Sequence, residues 1–294
     1  MSWDMTEAEW EHLALDTLAE LGWQVAGGKE IAPGSGERES WSDLVLHSRL
    51  RDAVERLNPD LPASAVEEAL GVVVTPGSRD ALAENQQVHR YLTEGIRKVV
   101  YTDQYGAEQN PTIRLVGKDP ADNDWLAVNQ VMVVDGERRR RFDIVLYVNG
   151  MPLAVIELKR ASDERGDLRA AHAQLMTYVH ELPLAFRFAM ACVVSDGITA
   201  RYGTPFTPYE HFAPWNVDDD GNPVSTQSGR DEDLALNLVL HGLFNQQRML
   251  DLLRGYVAFA DGEHGPIKRI AKPHQYFAVA KAVDKTVQAV RARG

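Results

Sequence analysis

The sequence predicts an α/β protein in which a mixed sheet is flanked by helices, and the order of its segments is the main reason. Helical spacing near the N-terminus is followed by short runs rich in Val, Ile and Tyr, then by helical spacing, a continuous apolar run and further helical spacing. Such runs, bounded by turn residues, are typical of strands. An order of helix, strands, helix, strand and helices belongs to the α/β or α+β class.

Composition limits the class of protein. The 294 residues are 44% hydrophobic and 25% charged, values typical of a globular chain with a real core. No apolar run approaches the ~20 residues that span a bilayer, so we expect no membrane contact. A single cysteine, Cys192, excludes an intrachain disulfide and suits a reducing compartment, so a cytoplasmic location is predicted. The net charge of −12 disfavours nucleic acid binding unless basic residues are gathered locally.

The N-terminal helix is predicted over residues 6–21. Its apolar residues follow helical spacing, Thr6 and Glu9 form a capping-box pattern, and Gly22 is a natural stop. A loop rich in glycine and charge follows. Three further short helices are then predicted, at residues 49–57, 64–70 and 80–92.

The middle of the chain changes to strand patterns. Five runs are predicted as strands, at residues 99–102, 112–117, 125–134, 142–148 and 153–158. After them we expect a helix over 168–182, a buried strand within 188–197, a loop over 203–230, and helices in 231–258 and 274–292.

The segment RFDIVLYVNGMPLAVIELKR, residues 141–160, is the most informative. Asp143 opens one apolar strand, Asn149-Gly150 is a hairpin turn signal, and Glu157-Leu158-Lys159 ends the second strand. A strict two-residue turn would place Asp143 and Glu157 on opposite faces of the sheet. We therefore predict a three-residue loop or a bulge near residues 149–152 that brings them to one face.

These charged groups suit phosphodiester hydrolysis, which uses a hard divalent cation held by oxygen atoms. Asp143, Glu157 and the backbone carbonyl of Leu158 are the predicted ligands, with Mg2+ as the cofactor. Lys159 is suited to orient or deprotonate water and to offset transition-state charge. A solvated strand end with a surface ion pair is the alternative, because D…ExK also arises by chance.

Two helices offer supporting side chains. Gln174 and Tyr178 lie four residues apart on one helix face, from which both can reach the strand ends. Glu11 lies beside the apolar stripe of the first helix and is placed to line a cleft. The alternatives are a solvated helix edge for the first two residues and ordinary surface for Glu11.

Together these residues resemble the PD-(D/E)xK nuclease domain at the N-terminus of the type I restriction enzyme R subunit, HsdR. The likeness covers nearly the whole chain. Its parts are EHLALDTLAELGW, RESWSDLVLHSRLRDAVERLNPDLP, NDWLAVNQ, RFDIVLYVNGMPLAVIELK, the QxxxY pair and SDGITARYGT.

The resemblance implies a restriction-endonuclease-like core that cleaves double-stranded DNA. Asp143, Glu157 and Lys159 would be its central residues, Glu11 an additional acidic residue, and Gln174 and Tyr178 supporting groups. It also implies methyltransferase and specificity subunits as partners, with sequence recognition residing in the latter.

The C-terminal region resembles the segment that precedes the helicase motor of this family. Gln275 in PHQYFAVAKAV would read the ATP adenine, and ATP is expected only for the full-length subunit. No G-x-x-x-x-G-K-[ST] motif occurs in the sequence, which rules out a P-loop ATPase and implies that the motor is absent from it. We expect an endonuclease-like domain over 1–205, then a linker and helical region over 206–294 that leads to the motor.

Two questions stay open from the sequence. The basic run Arg138 to Arg141 is either a phosphate-contacting rim or a solvated turn. The alternative function is a non-catalytic docking module, derived from a restriction enzyme, that binds DNA or partner subunits.

Overall fold

The fold is that of a computed structural model, which describes residues 5–160, 167–225, 234–263 and 265–292. Within these ranges the helices are α1 (Glu7–Glu20), α2 (His47–Leu57), α3 (Ala63–Val74), α4 (Ala81–Glu94), α5 (Asp167–Glu181), α6 (Ala235–Phe244), α7 (Gln246–Gly255) and α8 (Pro273–Arg291). The strands are β1 (Gln24–Gly27), β2 (Tyr101–Thr102), β3 (Glu108–Gln109), β4 (Trp125–Asp135), β5 (Arg138–Val148), β6 (Met151–Leu158), β7 (Ala191–Ser195), β8 (Ala200–Gly203), β9 (Val257–Gly262) and β10 (Gly265–Ile270).

A six-stranded mixed sheet organises the chain, in the order β1-β4-β5-β6-β7-β8. The pairs β1–β4 and β6–β7 are parallel, and the other neighbours are antiparallel. The predicted α/β class with a mixed sheet and flanking helices is therefore confirmed. None of the helices in the described ranges combines the length and the apolar surface that crossing a bilayer requires.

Each face of the sheet packs in its own hydrophobic cluster. On β5, Ile144 and Leu146 point into a cluster that also holds Trp10 of α1 and Leu236 of α6. Alternate residues such as Tyr147 point into the second cluster, against α5. Since β5 from Phe142 onward and all of β6 are buried on both faces, these stretches read in the sequence as nearly continuous apolar runs.

Local signals predicted the helices well. The capping box at Thr6 and Glu9 is present at the start of α1, with the Thr6 backbone N–H donating to Glu9 Oε2 at 2.7 Å. The strand expected at residues 112–117 is wrong, because this segment makes only an isolated bridge between Ile96 and Ile113. The strands β1 and β8 were not predicted, since each has only four residues and lies at an edge of the sheet.

A hairpin also interrupts the C-terminal region, which the sequence predicted as helical over 231–258. The helix α7 stops at Gly255, and β9 and β10 pair from Val257 to Ile270. Lys268 of β10 is buried, and its Nζ donates to Asn85 Oδ1 on α4 at 2.7 Å and to the Ala189 carbonyl at 2.8 Å. These two bonds attach the hairpin to the part of the chain that carries the large sheet, and burial lowers the pKa of Lys268 to about 7.

Candidate active site

The β5–β6 hairpin sets the register of the candidate site. Asn149 and Gly150 form a two-residue turn, both with positive φ (52° and 73°), which is the geometry of a type I′ hairpin. The pairing shifts by one position beyond Tyr147, and Leu153 is left without a partner in the ladder. The expected bulge is therefore present, one residue beyond the predicted range 149–152. The register that follows it pairs Ile144 with Ile156 and so brings the next residues, Asp143 and Glu157, level with each other.

A second irregularity lies on the other side of β5. The β4–β5 pairing is interrupted where Gln130 and Asp143 would face each other, and Gln130 has a positive φ of 55°. Phe142 and Val145, three positions apart, pack in the same cluster, whereas regular alternation would place them on opposite faces. Asp143 therefore lies at the point where the alternation of side chains between the two faces of the sheet is interrupted. Its side chain lines a cavity instead of packing in the core.

Three charged groups meet at this end of the hairpin. The Leu158 backbone N–H donates to Asp143 Oδ2 at 2.8 Å. Lys159 Nζ donates to Glu157 Oε1 at 3.0 Å and to the Leu158 carbonyl at 2.9 Å. Asp143 is 9% exposed and Glu157 is fully buried. A surface ion pair at a solvated strand end does not describe this arrangement, because the Glu157 carboxylate is fully buried and Asp143 is nearly so.

The helix α5 adds two polar groups to Glu157. Gln174 Nε2 donates to Glu157 Oε1, and it also lies 2.5 Å from the Tyr178 hydroxyl. The Tyr178 ring packs edge-on against Phe142, with centroids 5.3 Å apart. The structure therefore brings Gln174 into direct contact with the buried carboxylate and places Tyr178 behind it. A purely solvated helix edge is excluded for both residues.

The helix α1 contributes two acidic residues on one face. Glu11 is buried, and its carboxylate accepts hydrogen bonds from Gln130 and, at 3.2 Å, from Asn129. Ordinary surface is therefore wrong for Glu11. Glu7 lies 3.9 Å from Lys159 Nζ and lines the same cavity as Asp143. Sequence reasoning missed Glu7, although its position one helical turn before Glu11 was the available signal.

Burial governs the electrostatics of the site. Burial raises the pKa of Asp143 to about 6. Burial, and then the nearby charge of Asp143, raise the pKa of Glu157 to about 8. Burial lowers the pKa of Lys159, but the carboxylates of Glu157, Glu7 and Asp143 together raise it by more, so that it lies above the usual value. Burial and mutual repulsion make it costly to ionise both neighbouring carboxylates. A bound cation would stabilise their ionised forms.

The donor set fits a hard divalent cation. Carboxylate and carbonyl oxygens are the ligands that Mg2+ prefers. Glu157 Oε2 is buried and has no hydrogen-bond partner among the described residues, so one oxygen of this carboxylate is available. Within the described ranges, no group of three or more His, Cys, Asp or Glu side chains is arranged to hold a metal. The set is thus two carboxylates and the Leu158 carbonyl, which at present accepts a hydrogen bond from Lys159.

The cavity beside these residues has a volume of about 560 Å3, and arginines border it. Arg138 to Arg141 form the first part of β5, and the turn before them is at residues 136–137. The interpretation of this run as a solvated turn is therefore wrong. Its residues are held in an extended ladder against β4, and three of them, Arg139, Arg140 and Arg141, line the cavity together with Asp143.

Gln275 has a structural role at the start of α8. Its side-chain Oε1 accepts a hydrogen bond from the Lys272 backbone N–H at 2.8 Å, which caps the first turn of the helix. Its predicted contact with adenine stays a prediction.

Comparisons with known proteins agree on one family. The family model described as "Type I restriction enzyme R protein N terminus" matches residues 4–211. The type I restriction enzyme HindI endonuclease subunit of Haemophilus influenzae is 36% identical over 99% of this chain and 28% of its own length. The putative type I restriction enzyme MjaIXP endonuclease subunit of Methanocaldococcus jannaschii is 26% identical over 95% of this chain and 28% of its own length. The chain thus spans about 28% of the length of these two relatives.

Proposed function

The chain belongs to the family of type I restriction enzyme R protein N termini, and from this membership we propose that it is a Mg2+-dependent nuclease domain that cleaves DNA phosphodiester bonds. The fold we propose for it is the PD-(D/E)xK core. The observation that carries the proposal is the buried Glu157 at the end of one hairpin: its carboxylate lies beside Asp143 and Lys159, and its Oε2 has no hydrogen-bond partner among the described residues.

Each site residue has a role that follows from its contacts. Asp143, Glu157 and the Leu158 carbonyl would hold the cation. When bound, Mg2+ supplies polarisation of the phosphate and lowers the pKa of water. Lys159 places an ammonium group beside both carboxylates, where it can orient the attacking water and offset negative charge on the phosphate. Protonation of the leaving oxygen is assigned to solvent.

Three further residues would organise this centre. Gln174 fixes the rotamer of Glu157 by donating to Oε1, and Tyr178 packs behind Gln174. Glu11 accepts hydrogen bonds from Gln130 and Asn129 at the point where β4 leaves its regular ladder beside Asp143. Its role is to hold that irregular backbone in place.

The whole enzyme is also part of the proposal, since the chain spans about 28% of the length of its first relatives. We infer that the chain acts on double-stranded DNA in a complex with methyltransferase and specificity subunits. An ATP-driven motor, carried by the full-length subunit, would bring DNA to the nuclease. In this proposal the isolated chain, with its net charge of −12, cuts DNA little or not at all.

A test that does not require cleavage is the stabilisation of the chain by metal. At Mg2+ concentrations about 100 times the dissociation constant, we expect a rise in Tm of ~5 °C. At one fixed MgCl2 concentration the rise should be larger at pH 8.5 than at pH 6.5, because the cation must displace the proton that burial retains on Glu157 up to a pKa of about 8. Differential scanning fluorimetry with MgCl2 and MnCl2 measures it.

The matched variants are Glu157→Gln, which should lose the response, and Glu55→Gln, which changes an exposed glutamate of α2 and should keep it. A wild-type chain whose Tm does not respond to either metal would refute the metal site and favour the docking module.

A further inference from the structure

The four arginines at the start of β5 divide into two pairs. Arg138 Nη1 donates to the Glu181 carbonyl at the end of α5, at 2.8 Å. Arg140 Nη2 forms an ion pair with the Glu181 carboxylate at 2.6 Å, and its guanidinium lies 6.0 Å from the centre of the Tyr178 ring. This pair is therefore engaged with α5, and part of its charge is neutralised there.

The alternate residues, Arg139 and Arg141, are placed differently. Both are exposed and line the cavity that contains Asp143, which Arg140 also borders. Unlike Arg138 and Arg140, neither of them bonds to Glu181. Arg139 Nε lies 3.1 Å from Met132 Sδ, a weak acceptor. Arg141 pairs with Met132 through the backbone ladder, and its side chain has no hydrogen-bond or ion-pair partner in the described ranges. Among the described residues, neither guanidinium forms an ion pair, although both share the cavity with the carboxylates of Asp143 and Glu7.

Their spacing suits an extended chain of phosphates. Alternate residues of a strand are ~7 Å apart, so Arg141 and Arg139 lie about 7 and 13 Å along β5 from Asp143. Guanidinium groups bind phosphate through two parallel hydrogen bonds, and they keep their charge at every accessible pH. Because the whole chain carries a charge of −12, local cations of this kind are required for a polyanion to approach Asp143.

We propose that Arg139 and Arg141 contact two backbone phosphates of the DNA strand that lies across the site, whereas Arg138 and Arg140 hold α5 in place. This inference rests on the proposed nuclease function. It adds contacts to DNA phosphates other than the one that is cleaved, and the proposed metal ligands and Lys159 do not provide these contacts. Phosphate contacts carry no sequence information, so the pair would position any DNA sequence equally well.

Two double variants with the same change of charge test the division. Binding of a fluorescent 30-base-pair duplex of arbitrary sequence is measured by anisotropy in EDTA, between 20 and 200 mM salt. Each phosphate contact contributes about 0.9 to the slope of log K against log salt. R139Q/R141Q should therefore reduce the slope by about 1.8, and each single variant by about half of that. R138Q/R140Q should reduce it by less than 0.5, since its arginines are bound to Glu181.

Equal reductions in the two double variants would overturn the proposal, because they would show that only the total charge matters. A wild-type chain that does not bind the duplex at 20 mM salt would also overturn it. The Mg2+-dependent rise in Tm distinguishes failure of this proposal from failure of the proposed nuclease function. R139Q/R141Q should keep that rise, whereas a wild-type chain that shows no rise would refute the metal site. The single variants decide the question if either double variant fails to fold.

Discussion

Replacing Glu157 with glutamine is expected to reduce DNA cleavage by about 1,000-fold or more. Glu157 is the proposed ligand whose Oε2 has no other partner among the described residues. A glutamine has the same shape, but its neutral amide cannot replace a carboxylate as the ligand of a divalent cation. The assay is ATP-dependent cleavage of unmethylated DNA by an R subunit that carries this chain, reconstituted with methyltransferase and specificity subunits.

Two controls make the loss of cleavage specific. Glu55→Gln should cleave like the wild type. The stability of Glu157→Gln should equal or exceed that of the wild type at pH 8 without metal. Burial raises the pKa of Glu157 to about 8 in the folded chain, against ~4.3 when unfolded, so the wild type loses stability as pH rises between these values. Full cleavage by Glu157→Gln would refute its role as a ligand.

Replacing Gly150 with alanine is expected to destabilise the chain by ~3 kcal/mol or more. Gly150 has a φ of 73°, and an added Cβ would lie 2.3 Å from the Leu46 carbonyl oxygen and 2.8 Å from the Leu50 nitrogen. Both are backbone atoms at the start of α2, so neither can move aside as a side chain would. Urea denaturation of the variant and the wild type measures the difference in the free energy of unfolding.

Gly136→Ala is the matched control. This glycine also lies in a hairpin turn, between β4 and β5, and has a φ of 60°, but nothing lies within 4 Å of an added Cβ. We expect a loss of about 1 kcal/mol from backbone strain alone. Equal losses in the two variants would show that the close approach of Gly150 to α2 contributes nothing to stability.

The parts of the site that were predictable are those set by local chemistry. Asn149-Gly150 between two apolar runs specifies a tight hairpin, because both residues tolerate positive φ. The need for a bulge followed from parity alone, since Asp143 and Glu157 cannot share a face without one. Its position at Leu153 was not predictable, because every residue of β6 is buried and the apolar pattern therefore favours no single position.

The parts that were missed depend on tertiary contacts. The role of Glu7 depends on how α1 crosses the end of the sheet, and the attachment of Lys268 depends on the docking of a hairpin against α4. The arginine run shows the same limit. Its charge was evident from the sequence, but the division into pairs required the strand geometry and the position of Glu181 at the end of α5.

The most direct test of the central claim is anomalous diffraction from crystals of this chain that contain Mn2+. We expect a peak bonded to oxygen atoms of both Asp143 and Glu157, with Lys159 Nζ moved from the Leu158 carbonyl if that oxygen is also a ligand. The peak should disappear in Glu157→Gln. A well-ordered site in which no Mn2+ binds between the two carboxylates would contradict the claim.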